Sequence, residues 1–378
     1  MLTLALLGFG FVAGYGYGYG KYKQIKPSVS TPKPTPLAPV VKGMHISPNG
    51  KLLAFTAVYD QSRRASRFVY DLKSGKWSAQ QSPVGWQDYI TQWSADSSHV
   101  LFEREKIPRP VAEAKSGIYQ EKVLSPATSN VSNSSEEAAS QPRFSNPQPL
   151  TQGVAPGNEK IMTGFWDERG KLWIKTRREP KALYGVEGKR AVLLDRTPGT
   201  YLQNRAATEN GRTVLYVVRD INTAGSMALF RVDGRRTTQL SEPLDDVVWS
   251  YITDNGRQMI VCRYAENGED WRWTLYRVTP QKATVEKEGD IPGDVISVYW
   301  SPNRRHVLGS SGQSLWLIDV PSLKATRVGK RNDWNADDAA WCADSQTIIV
   351  AADGKLWEVN TNNGQTRAIW TFPPPYWI

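Results

Sequence analysis

Seven times along the chain a short polar turn is followed at once by an apolar run. The copies are "ISPNGKLLAFTAVY" from Ile46, "WSADSSHVLFER" from Trp93, "WDERGKLWIKTR" from Trp166, "ATENGRTVLYVVRD" from Ala207, "ITDNGRQMIVCRY" from Ile252, "WSPNRRHVLGSS" from Trp300 and "WCADSQTIIVAA" from Trp341. Their aligned turn residues, Asn49, Asp96, Glu168, Asn210, Asn255, Asn303 and Asp344, lie 41 to 48 positions apart, except for 72 between Asp96 and Glu168. A fixed period of this length is the mark of a repeat architecture. Within each copy, Ser or Thr followed by Pro, Asp or Asn and then Gly favours a tight turn, because Pro presets φ, Asx side chains bond nearby backbone and Gly accepts positive φ. The run behind it is rich in β-branched and aromatic residues and apolar on both faces, as a strand covered on two sides must be.

Most copies continue into a second strand pair, such as "RFVYDLKSGKWSAQ", "ALFRVDGRRTTQL", "TLYRVTPQKATVE", "SLWLIDVPSLKATRV" and "KLWEVNTNNGQTRAI". Four strands per unit, the last one polar, fit a blade whose outer edge meets solvent. A closed ring of such blades leaves no long open sheet edge. The expected fold is therefore all-β: a single β-propeller of seven four-stranded blades. Six would follow if the weak third copy were something else, and eight would need a further copy. No stretch beyond the N-terminus keeps a helical apolar period, and 30 Gly and 24 Pro beside 5 Met agree with short strands and turns.

The domain organisation follows. Residues 1–20, "MLTLALLGFGFVAGYGYGYG", read as a signal peptide or an N-terminal membrane anchor, since the apolar run is shorter than a typical span but extends through interfacial tyrosines. Residues 21–40 form a Pro-rich linker, and residues 41–378 form the propeller. The long spacing is explained by "SPATSNVSNSSEEAASQPRFSNPQP", a Ser/Asn/Pro-biased insertion near 125–149 expected to be disordered.

The blocks "SPNGKLLAF" and "SLWLID" resemble the WD-like propeller repeat of the TolB-like family and of the propellers that precede the catalytic domain in prolyl-oligopeptidase-type enzymes. The resemblance spans about Val41 to Phe372. It implies a propeller used as a docking surface in the cell envelope, and because the repeating residues are turn and core positions, it transfers no functional residue.

Net charge is +10, of which four lysines without any acid in the first 40 residues supply four. The remaining Arg and Lys are scattered over strand ends and turns with no nucleic-acid motif, so no nucleic-acid partner is expected. No G-x-S-x-G nucleophile elbow occurs, and "GSSGQS" from Gly309 has the wrong spacing. His45, His99 and His306 fall in separate units, and Cys262 and Cys342 stand alone; neither set has metal-ligand spacing, so no metal and no cofactor is expected.

One constellation does recur. The segments leading into the first strand of several units carry acids and Trp: Trp86 and Asp88 in "GWQDYI", Asp245 and Asp246 in "LDDVVW", Asp294 in "GDVISVYW", and Trp334, Asp337 and Asp338 in "DWNADDAAW". In a propeller these segments open on one face around the channel mouth. There the acids would hold a cation or a basic peptide with Trp as anchors; equally, the Asp would cap turns and the Trp would fill the space between blades. The functional expectation is an exported or membrane-tethered, non-catalytic scaffold of the cell envelope, periplasmic or extracellular, that binds a protein or peptide partner and contacts membrane through residues 1–20. The alternative is a propeller enzyme acting on glycans or peptides with carboxylates at the channel mouth.

Overall fold

Five of the described repeat turns, those of Gly50, Ser97, Gly256, Arg304 and Ser345, close alike, the fourth residue's N–H donating to the first residue's carbonyl. In the first, Gly50 N–H donates to Ser47 O at 2.8 Å, Leu52 N–H donates to Ser47 Oγ at 2.9 Å and Lys51 N–H donates to Asn49 Oδ1 at 3.0 Å. The fourth turn residue takes positive φ in five copies, as Gly50, Ser97, Gly256, Arg304 and Ser345. Glycine does this without strain. Two of the serines in this conformation bond across to the preceding blade: Asn49 N–H donates to Ser97 Oγ at 3.1 Å, and Asn303 N–H to Ser345 Oγ at 2.9 Å.

The computed structural model describes residues 38–59, 64–106, 117–124, 142–145, 147–150, 161–167, 171–176, 181–187, 190–197, 201–209, 212–221, 226–234, 236–253, 256–264, 271–291, 297–310, 314–328 and 336–373. The leader and most of the linker and insertion read from the sequence lie outside these. The described strands form seven sheets. Blade 1 holds β1 (Val40–Ile46), β2 (Leu52–Tyr59), β3 (Arg64–Asp71) and β4 (Trp77–Gln81). Blade 2 holds β5 (Trp86–Trp93), β6 (His99–Lys106), β7 (Gly117–Leu124), and two short strands, β8 (Arg143–Phe144) and β9 (Gln148–Pro149), that both pair with β7. Blade 3 holds β10 (Ile161–Trp166), β11 (Leu172–Thr176), β12 (Lys181–Glu187) and β13 (Arg190–Thr197), which makes the weak third copy a full blade. Blade 4 holds β14 (Tyr201–Glu209), β15 (Arg212–Asp220), β16 (Met227–Asp233) and β17 (Arg236–Gln239); blade 5 holds β18 (Val247–Ile252), β19 (Gln258–Tyr264), β20 (Trp271–Val278) and β21 (Ala283–Ile291). Blade 6 holds β22 (Ser297–Trp300), β23 (His306–Ser310), β24 (Leu315–Asp319) and β25 (Lys324–Arg327); blade 7 holds β26 (Ala336–Trp341), β27 (Thr347–Ala352), β28 (Lys355–Asn360) and β29 (Thr366–Thr371). The fold is a seven-bladed β-propeller.

Every blade is an antiparallel meander, so its first-to-second and third-to-fourth turns lie at one end of the ring, the hairpin end. The second-to-third loops and the links between blades lie at the other, the connection end. The core sits between blades. Val218, Leu229 and Leu244 of the blade 4 region pack with Val261 and Tyr276 of blade 5, and Trp273 and Cys262 of blade 5 pack with Val307 and Ile318 of blade 6. Tryptophans at the ends of inner strands also lock neighbours: Trp93 Nε1 donates to His45 O at 2.7 Å and Trp341 Nε1 to Tyr299 O at 2.9 Å. Cys262 and Cys342 are free thiols, and burial pushes Cys342 up to about 12.

Among the described residues blades 1 and 7 each consist of four consecutive strands, with none exchanged between them. The seam between them is closed by side chains. Phe55 stacks on Phe68 at 5.1 Å, and Trp370 and Phe372 meet both of these rings at 5.6 to 6.4 Å. The start of the C-terminal "TFPPPYWI" thus takes part in ring closure through Phe372; residues 374–378 lie outside the described residues.

Candidate functional site

The inner strands begin at the connection end, and most of them begin irregularly. β10, β14, β18 and β26 each lose register around their second residue, and β1 and β5 do so a few residues later. An extra residue of this kind bends the strand and re-aims its side chain. In β26 the extra residue is Asp337, between the pairs Ala336↔Ala352 and Asp338↔Ala351. The bulge turns the two neighbouring carboxylates to different tasks.

Asp338 is 7% exposed and faces blades 6 and 1. Its Oδ2 accepts from Met44 N–H at 3.0 Å, its Oδ1 accepts from Ala339 N–H at 2.8 Å, and the Tyr299 hydroxyl donates to Oδ1 as well. Burial raises its pKa while these hydrogen bonds pull it back. Asp337 keeps more of its surface open, and Oδ2 accepts from Val41 N–H at 3.1 Å. Desolvation, helped by the Asp338 and Asp353 carboxylates, pushes its pKa up to about 6. Both residues therefore fasten β1 to β26, and Asp337 keeps part of its surface open to solvent.

Asp88, third in β5, is fully buried. Arg104 of β6 grips it through Nε–H to Oδ1 at 2.7 Å and Nη2–H to Oδ2 at 2.8 Å, the two-pronged geometry that strengthens an Arg–carboxylate pair. Arg67 of β3, itself 0% exposed, lies 3.3 Å from Asp88 Oδ2 through Nη1 and 3.3 Å from Glu121 Oε2 through Nη2. The guanidinium is 3.9 Å from the Phe102 ring centroid, and that of Arg104 is 4.8 Å from Tyr119. Glu121 of β7 is 1% exposed and burial pushes it up to about 7. Asp88 is thus one member of a charge cluster sealed between blades 1 and 2.

Asp245 and Asp246 precede β18 and are exposed; Ser226 Oγ–H donates to Asp245 Oδ1 at 3.1 Å, and Asp246 has φ 55°. Trp86 opens β5 half-buried. Asp294 and Trp334 lie outside the described residues. The described acids among those read from the sequence share one end of the ring but fall into three settings: the blade 1–blade 2 interface, the seam, and the link to blade 5. Sequence reading missed Arg67, Glu121, Arg104 and Tyr299. The signal for Arg67 was alternation: in "ASRFVYD" it shares a face with Ala65 and Val69, both buried. Among the described residues no group of three or more His, Cys, Asp or Glu is placed to hold a metal ion.

No known protein family's sequence profile matches the chain, and no curated protein matches it in sequence. Similarity is found in structure. The β-propeller domain of the trilobed protease from Pyrococcus furiosus, described as having an open velcro topology, aligns with a TM-score of 0.55 at 11% identity over 90% of this chain and 98% of that one. A prolyl endopeptidase aligns at 0.57 and 11% identity over 89% of this chain and 50% of that one. An oligogalacturonate lyase in complex with manganese aligns at 0.56 and 11% over 90% and 92%. At such identities the likeness is one of fold alone.

Proposed function

We propose that the protein is a non-catalytic propeller scaffold that receives a basic segment of a protein partner at the connection end. The observation that carries this reading is the division of labour among the mouth carboxylates. Asp88 and Asp338 are occupied by arginines, amides and a hydroxyl that stiffen the frame, while Asp337, Asp245 and Asp246 stay at the surface of that frame. Carboxylates on a rigid rim suit the steering and registration of a cationic partner. The repeat's resemblance to TolB-like propellers and an exported, tethered setting accord with the same role. What weighs against the enzyme alternative is that Asp88 and Asp338, two of its candidate acids, are committed to structural contacts.

The test is cross-linked purification of the full chain from its native setting, followed by titration of the recovered partner, or a basic peptide cut from it, against Asp245→Asn, Asp246→Asn and Asp337→Asn combined. Scaffold action through this rim predicts a loss of affinity of about tenfold or more, in the range seen when several interfacial charges are removed. Unchanged affinity would place the partner elsewhere on the ring.

A further inference from the structure

At the hairpin end the charge pattern reverses. Over the consecutive blades 3 to 6, the turns and the residues flanking them carry Arg190, Arg212, Arg236, Arg257, Lys282 and Lys324, every one exposed. The carboxylates of the same turns are drawn inward. Asp167 is buried and accepts from Trp173 Nε1–H at 3.2 Å and Thr213 Oγ1–H at 3.1 Å. Glu209 and Asp233 hold Arg231 at 2.7 and 3.2 Å, and Asp319 accepts from the Ser322 hydroxyl at 2.6 Å. Among the described residues of these turns the one exposed carboxylate is Glu187, with Lys171 Nζ 3.0 Å away. A basic arc therefore runs across four neighbouring blades at the tips of tight turns.

We infer that this arc docks on an anionic lipid bilayer surface. Three features select that partner. The cations are spread along the rim, which suits a continuous sheet of headgroups better than a short acidic motif bound in a pocket. Of the large apolar side chains exposed among the described residues, none sits in the turns of these blades: Leu193 and Val285 lie within outer-edge strands, and Val40, Val84 and Leu124 belong to blades 1 and 2 or the link between them. Aromatic platforms for nucleobases and hot-spot anchors for a protein are likewise missing from the described turns, whereas adsorption on headgroups needs charge alone. The third is sign: the exposed side chains that lead these described turns are Arg and Lys, complementary to anionic headgroups. This docking is independent of the acidic rim at the opposite end.

The experiment is vesicle co-sedimentation of the full chain. Because the N-terminal apolar run contributes equally to any bilayer, the readout is the ratio of binding to vesicles containing about 30% phosphatidylserine over binding to pure phosphatidylcholine. We expect that ratio to be about tenfold or more at low salt, to fall toward one when salt shortens the screening length, and to collapse in Arg236→Glu/Lys282→Glu/Lys324→Glu. Circular dichroism and the melting temperature check that this variant remains folded; a second variant, Arg212→Gln/Arg257→Gln, should lower the ratio part-way. An equal ratio for wild type and both variants overturns the proposal. So does displacement of the wild type from anionic vesicles by a single-stranded oligonucleotide or by polyglutamate at charge concentrations well below that of the lipid, which would assign the arc to those partners.

Discussion

At the connection end Asp88 and Asp338 are sealed against arginines and backbone amides, whereas at the hairpin end of blades 3 to 6 Arg236, Lys282 and Lys324 stand in solvent. Both ends are charged, but Asp88 and Asp338 use their charge to join blades, whereas these turn-tip cations stand clear of the blade interfaces. A charge buried between blades was taken out of water when the ring formed, so removing its partner exposes the full penalty. A charge on a turn tip never left water, and its neighbours do not depend on it. Total charge thus says little about where substitutions will hurt; the position along the strand says more.

The contrast is broken most directly by Arg67→Ala. It leaves Asp88 and Glu121 buried with Arg104 alone, and it should cost about 3–5 kcal/mol in urea unfolding. A loss below about 1 kcal/mol would mean that the cluster is hydrated and the contrast false. Next comes Asp338→Ala, which strands the Met44 and Ala339 amides and the Tyr299 hydroxyl; a loss of about 2–3 kcal/mol is expected by the same assay.

Acidity sharpens the comparison. Glu121 is held at about 7 in the folded protein against an ordinary value of 4.5, a raised carboxyl, so the folded state binds the extra proton between those values. Its contribution favours the fold at and below the lower value, is lost as pH rises through the window, and is gone above about 7. Glu121→Gln should therefore flatten the pH dependence of wild-type stability by about 2 kcal/mol between the two ends of the window, measured as denaturation midpoints at matched ionic strength. A wild type and variant that track each other in parallel would show that Glu121 ionises normally. The smallest effect belongs to the hairpin end: Arg236→Glu and Lys282→Glu should each move stability by no more than about 0.5 kcal/mol.

How far these differences were legible varies with distance along the chain. Turns, strands and blade number follow from local chemistry, since Ser47, Asn49 and Gly50 meet within one hairpin and recur with a readable period. Asp337 and Asp338 were legible as acids entering an inner strand. Their attachment was not, because it depends on a bulge in β26 and on amides of β1 at the far end of the sequence. Arg67 and Glu121 lay hidden for a related reason: each looks like a solvated strand residue until two blades are laid face to face.

The order of the strands also sets an order in time. Bonds that join adjacent blades link residues close in sequence, as between Trp93 and His45, 48 positions apart, or Trp341 and Tyr299, 42 apart. The bond from Val41 to Asp337 spans 296 positions. A chain leaving the ribosome can assemble its interfaces one after another, but the final one must wait for the last blade to be made and then find the first. Until that moment the aromatic faces of Phe55 and Phe68 have no Trp370 or Phe372 to cover them. Long-range pairing is slow and exposes apolar surface, so the step most open to aggregation is expected at this one interface, where the first blade meets the seventh.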